Sequence, residues 1–153
     1  MITENTFTGE YCYTLDAKNR INIPSKFRSA LSPENNSTFV ISRGMDPCVV
    51  AYPLLEWQKV ETGLRTLSSA SKIYRSFIRN TVRFATPVTL DKQGRIQLTP
   101  ILIDFAGLDR DILIIGVVNK IELWNPARLD ELEETSLSID PEQFEDLAEK
   151  IIL

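Results

Sequence analysis

The chain has 153 residues, 43% of them hydrophobic, enough for one core-bearing unit or two small intertwined ones. It contains no histidine, and Cys12 and Cys48 form no CxxC or other metal spacing, which excludes the commonest general base, the usual triads and most transition-metal sites. The net charge of −4 is unevenly placed: residues 1–120 hold 15 Lys/Arg against 11 Asp/Glu, and residues 121–153 hold 2 against 10.

A mildly basic body with an acidic tail is the informative quantity, since the overall balance alone would argue against a nucleic-acid partner. No apolar run approaches the roughly 18 residues of a transmembrane helix. Residues 1–9 lack the basic and apolar regions of a signal peptide. Both cysteines are therefore expected reduced and buried in a cytoplasmic protein. No P-loop, GxGxxG or GxSxG occurs, and nothing points to an enzyme or a cofactor.

In chain order, Tyr11, Tyr13 and Leu15 alternate with polar or small residues, and Ile21 and Ile23 alternate with Arg20 and Asn22. Period-two alternation on both sides of a short polar break predicts a β-hairpin with its apolar set facing a core. Pro24 opens a short helix carrying Phe27 and Leu31 at i, i+4. Residues 32–37 are a loop by composition, and residues 39–42 and 49–52 read as strands. Helical patterns follow over 55–67, with Trp57, Val60 and Leu64 on one face, and over 71–84. The second carries Lys72, Arg75, Arg79 and Arg83 at spacings of three and four. That row fits a solvated face, phosphate contact, or docking against an acidic neighbour.

The order then begins again. Val88 and Leu90 precede a polar break, and Ile96 and Leu98 alternate with Arg95 and Gln97. Pro100 opens a helix with Leu102, Phe105 and Ala106 inward and Gly107 as its stop. Residues 112–115 and 121–124 are the next strands. From Pro126 the chain is acidic, with helical patterns holding Leu129 and Leu132, then Phe144, Leu147, Ala148 and Ile151, broken at Ile139-Asp140-Pro141. That apolar stripe could cover a groove or a neighbour.

Residues 15–24 and 90–99 are thus two copies of one stretch. Leu15, Asp16, Arg20 and Ile21 recur as Leu90, Asp91, Arg95 and Ile96 at a fixed offset of 75, and Asn19 stands where Gly94 stands. Asn19 and Gly94 occupy the turn position expected to need positive φ. Each copy reads β-β-α-β-β over about 45 residues, too few to be stable alone. Strands from both copies closing one barrel, related by a pseudo-two-fold axis, would solve that. An Asp and an Arg flanking a turn can simply pair, which is worth little at a surface. Their recurrence makes Asp-x-x-x-Arg a functional candidate, because a core repeat would preserve only the apolar positions. The arginines are expected outward beside Lys18 and Lys92.

These residues resemble the MraZ family of tandem SpoVT-AbrB-type swapped-hairpin domains. The resemblance is carried by Gly9-Glu10-Tyr11, Leu15-Asp16 through Pro24, Lys26-Phe27, Arg43-Gly44, Tyr52-Pro53, Trp57, Leu90 through Ile96, Ala106-Gly107-Leu108 and Ile121-Glu122-Leu123-Trp124. It departs from the family pattern at Tyr13, commonly His, at Asn19, commonly Gly, and at Thr99, commonly Pro. The implied fold is α+β: β-β-α-β-β units at 6–53 and 85–128, connecting helices at 54–84 and an acidic helical tail at 129–153. The implied function is that of a bacterial, cytoplasmic, nucleoid-associated transcriptional regulator, usually a repressor. Such proteins are ring-shaped homo-oligomers that bind double-stranded DNA at direct repeats upstream of their own cell-division and cell-wall genes. The family's DNA-contacting motifs fall here on Asp16 with Arg20 and on Asp91 with Arg95.

On this reading Arg20 and Arg95 pair with guanine edges, Lys18 and Lys92 contact phosphates, and Asp16 and Asp91 shape the turns and orient the arginines. Neither a membrane nor a small-molecule substrate is expected as partner. Two other readings are an interaction scaffold that binds no DNA, and an AbrB-like antitoxin. The second domain weighs against the antitoxin.

Overall fold

The computed structural model describes residues 6–136 and 140–151. Its elements are β1 (Phe7–Thr14), β2 (Arg20–Asn22), α1 (Ser25–Ala30), β3 (Thr38–Arg43), β4 (Val49–Pro53), α2 (Leu54–Arg65) and α3 (Lys72–Val82). They are followed by β5 (Thr86–Thr89), β6 (Arg95–Gln97), α4 (Pro100–Ala106), β7 (Asp111–Val118), β8 (Ile121–Trp124), α5 (Pro126–Ser136) and α6 (Pro141–Lys150). The fold is α+β.

The hairpins are swapped. A six-stranded antiparallel sheet runs β1-β7-β8-β4-β3-β5, so the first strand of each copy pairs with the third strand of the other. The second strands pair with one another: Arg20 opposes Gln97, Ile21 opposes Ile96 and Asn22 opposes Arg95. Because Ile96 is the repeat equivalent of Ile21, a pseudo-two-fold axis passes through that pair. Backbone bonds outside the ladders obey the same symmetry. Ile23 N–H donates to Gly94 C=O (2.9 Å) and Leu98 N–H to Asn19 C=O (2.8 Å).

The expected single closed barrel does not form. β2 and β6 make a separate two-stranded ribbon. Each is three residues long, pairs with one neighbour, and is followed closely by a proline, Pro24 or Pro100, which has no N–H to extend a ladder. The ribbon, with Phe27 of α1 and with Leu102 and Ala106 of α4, instead closes over one face of the large sheet. Ile21, Ile23, Ile96 and Leu98 meet Phe39, Ile41, Ile112 and Ile114 in one buried cluster. Phe7 and Tyr11 pack edge-on against Phe27 at ring separations of 5.5 and 5.3 Å. Gly116 lets β1 approach β7: a Cβ there would lie 2.5 Å from the Phe7 carbonyl carbon.

The other face of the sheet is also covered. Cys48, Val50 and Trp124 pack beneath Leu129 and Leu132 of α5, and Trp57 of α2 lies against Tyr52 at 5.3 Å. Burial raises the Cys48 thiol pKa far above its ordinary value. Cys12 departs from expectation and is exposed, because alternation along β1 turns Tyr11 and Tyr13 inward and Cys12 out. Phe105 is only partly buried. The expected helix break at Ile139-Asp140-Pro141 lies partly outside the described residues; Asp140 caps α6 by accepting the Glu142 N–H.

Candidate nucleic-acid interface

The two repeated turns are built alike, atom for atom. Asp16 Oδ1 accepts the backbone N–H groups of Lys18 (2.9 Å) and Arg20 (2.8 Å), while Oδ2 accepts from Arg20 Nε at 2.8 Å. Asp91 does the same with Gln93 N–H, Arg95 N–H and Arg95 Nε, at 2.9, 2.9 and 2.8 Å. This explains the spacing: one carboxylate closes the turn through the second and fourth following N–H groups, and only then meets the fourth residue's side chain. Asn19 and Gly94 have φ of 61° and 76°, as their turn positions require.

Both carboxyls are held below the ordinary Asp range. The largest cause in each is the backbone N–H of the arginine, Arg20 or Arg95, opposed by some desolvation and assisted by that arginine's side chain. The arginines therefore do not extend freely outward, as the sequence suggests. Each folds back through Nε, so that the carboxylate fixes the guanidinium plane and leaves the Nη groups for a further acceptor. Lys18 and Lys92 are exposed on the same turns.

The swap brings the tips together. Gln97 Nε2 donates to Lys18 C=O, Asn22 Nδ2 donates to Gln93 C=O at 3.3 Å, and Arg95 Nη1 lies 3.8 Å from Asp16 Oδ2. All six predicted residues (Asp16, Lys18, Arg20, Asp91, Lys92 and Arg95) thus belong to one surface made from both copies. Four cations and two carboxylates leave it net positive, although the chain is acidic overall.

Arg28 is a contributor that sequence reasoning missed. Its Nε donates to Ile23 C=O at 3.0 Å, and its guanidinium covers Gly94 so closely that a Cβ there would meet it at 2.7 Å. The repeat hides Arg28, because its counterpart at the offset of 75 is Ile103. Asn22 and Gln97 were legible only as outward strand positions; their tip-bridging bonds depend on the swap. Among the described residues no cluster of His, Cys, Asp or Glu could hold a metal ion, and no helix is long and apolar enough to cross a membrane.

Comparison with known proteins finds matches along nearly the whole chain. A family model described as "MraZ protein, putative antitoxin-like" matches residues 6–80 and 82–151. The chain is 41% identical over 145 residues to a transcriptional regulator MraZ of Clostridium beijerinckii, covering 95% of this chain and 96% of that protein. It is 43% identical over 147 residues to a transcriptional regulator MraZ of Pediococcus pentosaceus, with the same coverage of each. With the repeat, the swapped pairing and matches of this extent, the chain belongs to the MraZ family.

Proposed function

We propose that this protein is a DNA-binding transcriptional regulator that acts without catalysis and reads double-stranded DNA with its paired hairpin tips. The observation that carries the reading is the duplicated Asp–Arg lock. Two guanidinium groups are oriented by carboxylates, framed by exposed lysines and set side by side on one positive surface. An arginine held in this way is preorganised for bidentate pairing with guanine O6 and N7, worth about 1–3 kcal/mol of discrimination, while the lysines contact phosphates. The relatives' name, transcriptional regulator, agrees with this use.

In the finer form of the proposal, residues 6–53 and 85–128 act as the two SpoVT-AbrB-like halves of one reading unit. A cytoplasmic, nucleoid-associated homo-oligomeric ring presents several such units to direct repeats upstream of its own gene cluster, most simply as a repressor. Repeated tips on repeated sites gain affinity through effective concentration.

The test is binding of the purified protein to DNA from upstream of its own gene, at several salt concentrations, beside Arg20→Ala/Arg95→Ala. Wild-type binding is expected to weaken steeply with salt. The variant should bind at least tenfold more weakly while retaining its fold. Equal binding by both would make the tips a scaffold and overturn the reading.

A further inference from the structure

Two short helices stand at equivalent places beside the two tips, residues 16–20 and 91–95. α1 follows the first tip in sequence but lies against the second: Arg28 Nε donates to Ile23 C=O at 3.0 Å, and the guanidinium covers Gly94. α4 answers it across the pseudo-two-fold axis, with Ile103 beside Asn19 of the first tip. The inward positions keep their character, since Phe27 matches Leu102 and Leu31 matches Ala106, all four buried. The outward positions do not. Exposed Lys26, Arg28 and Ser29 stand where α4 has Ile101, Ile103 and Asp104. The second tip is therefore flanked by two cations. The first is flanked by Ile103 and the Asp104 carboxylate, which border an open hollow of about 300 Å³.

We infer that Lys26 and Arg28 grip DNA phosphates beside the second tip while α4 makes no such contact, so that one chain seats on a duplex in a single orientation. This rests on the DNA-reading proposal above and extends it from the tips to one flank. Core packing demands neither side chain, because both are exposed. Among the described residues neither joins an ion pair, and Arg28 commits only its Nε to the chain, which leaves its Nη groups for a phosphate. At the matching place on α4, Ile103 has no donor and Asp104 has the charge that phosphates repel. The likeness of the two tips alone would let the unit sit on DNA either way round, as two-fold proteins do on palindromic sites. The unlike flanks remove that freedom, since phosphate contacts fix register and orientation without reading sequence.

The test measures binding of the full-length chain to a duplex from upstream of its own gene over a range of salt. Lys26→Gln/Arg28→Gln should lower the slope of log affinity against log salt by about two, with its preference among DNA sequences unchanged. Arg28→Lys, which keeps the charge but not the planar cover over Gly94, should retain the wild-type slope. An unchanged slope in the Gln variant overturns the inference. So does a loss in Arg28→Lys equal to that in the Gln variant, which would make Arg28 a prop for the turn. Orientation is read by DNA cleavage from an iron–EDTA group tethered at Ser29→Cys or at its equivalent, Asp104→Cys, each with Cys12→Ser removing the exposed thiol. On a duplex holding one binding site, each should cut on one side only, and the two on opposite sides. Cuts on both sides from either position overturn the single orientation. Binding that is lost in Arg20→Ala/Arg95→Ala but untouched by charge removal on α1 removes the flank and leaves the tips as readers. Wild type that binds no DNA removes the reading on which the inference rests.

Discussion

Arg95 reaches across the pseudo-two-fold axis to Asp16: its Nη1 lies 3.8 Å from Asp16 Oδ2, the oxygen that also accepts from Arg20 Nε at 2.8 Å. Among the described residues no ion pair joins Arg20 to Asp91, so the two tips are similar but not equivalent. Arg95→Ala removes a link between tips, whereas Arg20→Ala leaves that link in place. The two single variants should therefore differ in DNA affinity, with Arg95→Ala the weaker binder. Parallel titrations against one DNA fragment check this.

Asp16 and Asp91 give a prediction about pH. Each carboxyl is held below its unfolded value, so the stability it contributes is complete above that value, about 3.9, and is lost as pH falls through the folded one. The tips should keep their geometry at neutral pH and open only in acid. The leading cause is a backbone N–H that alanine retains. Carboxyl titration by NMR should therefore find Asp16 still depressed in Arg20→Ala, though less so. A return to the ordinary Asp value would show that the side chain, not the turn, holds the charge.

Thr99 Oγ1 is buried without a hydrogen-bond partner. Replacing the hydroxyl by a methyl group of the same shape removes an unpaid desolvation cost. Thr99→Val should raise stability by about 1 kcal/mol in denaturant unfolding, with the geometry of the hairpin tips unaffected.

Two glycines should respond in opposite senses. At Gly116 a Cβ would strike the Phe7 backbone at 2.5 Å, so Gly116→Ala should force β1 off β7 and cost about 3 kcal/mol or more. At Gly63, within α2, a Cβ meets nothing within 4 Å, and Gly63→Ala should stabilise by about 0.5–1 kcal/mol. Thermal unfolding of the pair distinguishes backbone collision from helix propensity.

Arg43 ties the connecting helices to the second copy. Its guanidinium stands 4.7 Å from the Phe84 ring centre and 5.3 Å from that of Phe105, and Nη2 donates to Asn80 C=O at 3.1 Å. An ammonium group lacks the planar face that stacks between rings. Arg43→Lys should thus cost about 1–2 kcal/mol, lowering the melting temperature by about 2–4 °C for each kcal/mol at this chain length.

The sequence by itself determined the repeat, the turn conformation at Asn19 and Gly94, and the alternation that sends Ile21, Ile23, Ile96 and Leu98 inward. These are local properties: side-chain period, turn chemistry and proline placement act within a few residues. It also marked Asp16, Arg20, Asp91 and Arg95, because polar residues recurred where packing does not demand them. The tertiary structure alone decided which strands pair. A three-residue strand such as β2 has too few donors and acceptors to specify its neighbour, so whether it pairs with β1, closes a barrel or meets its own repeat is settled by burial over the whole core. That choice put the two tips side by side and brought Arg28 over Gly94, whereas the fold-back of each arginine onto the carboxylate four residues before it is local to its turn. It also turned Cys12 outward: alternation places it opposite Tyr11 and Tyr13, but only the packing of β1 at the sheet edge leaves that face exposed.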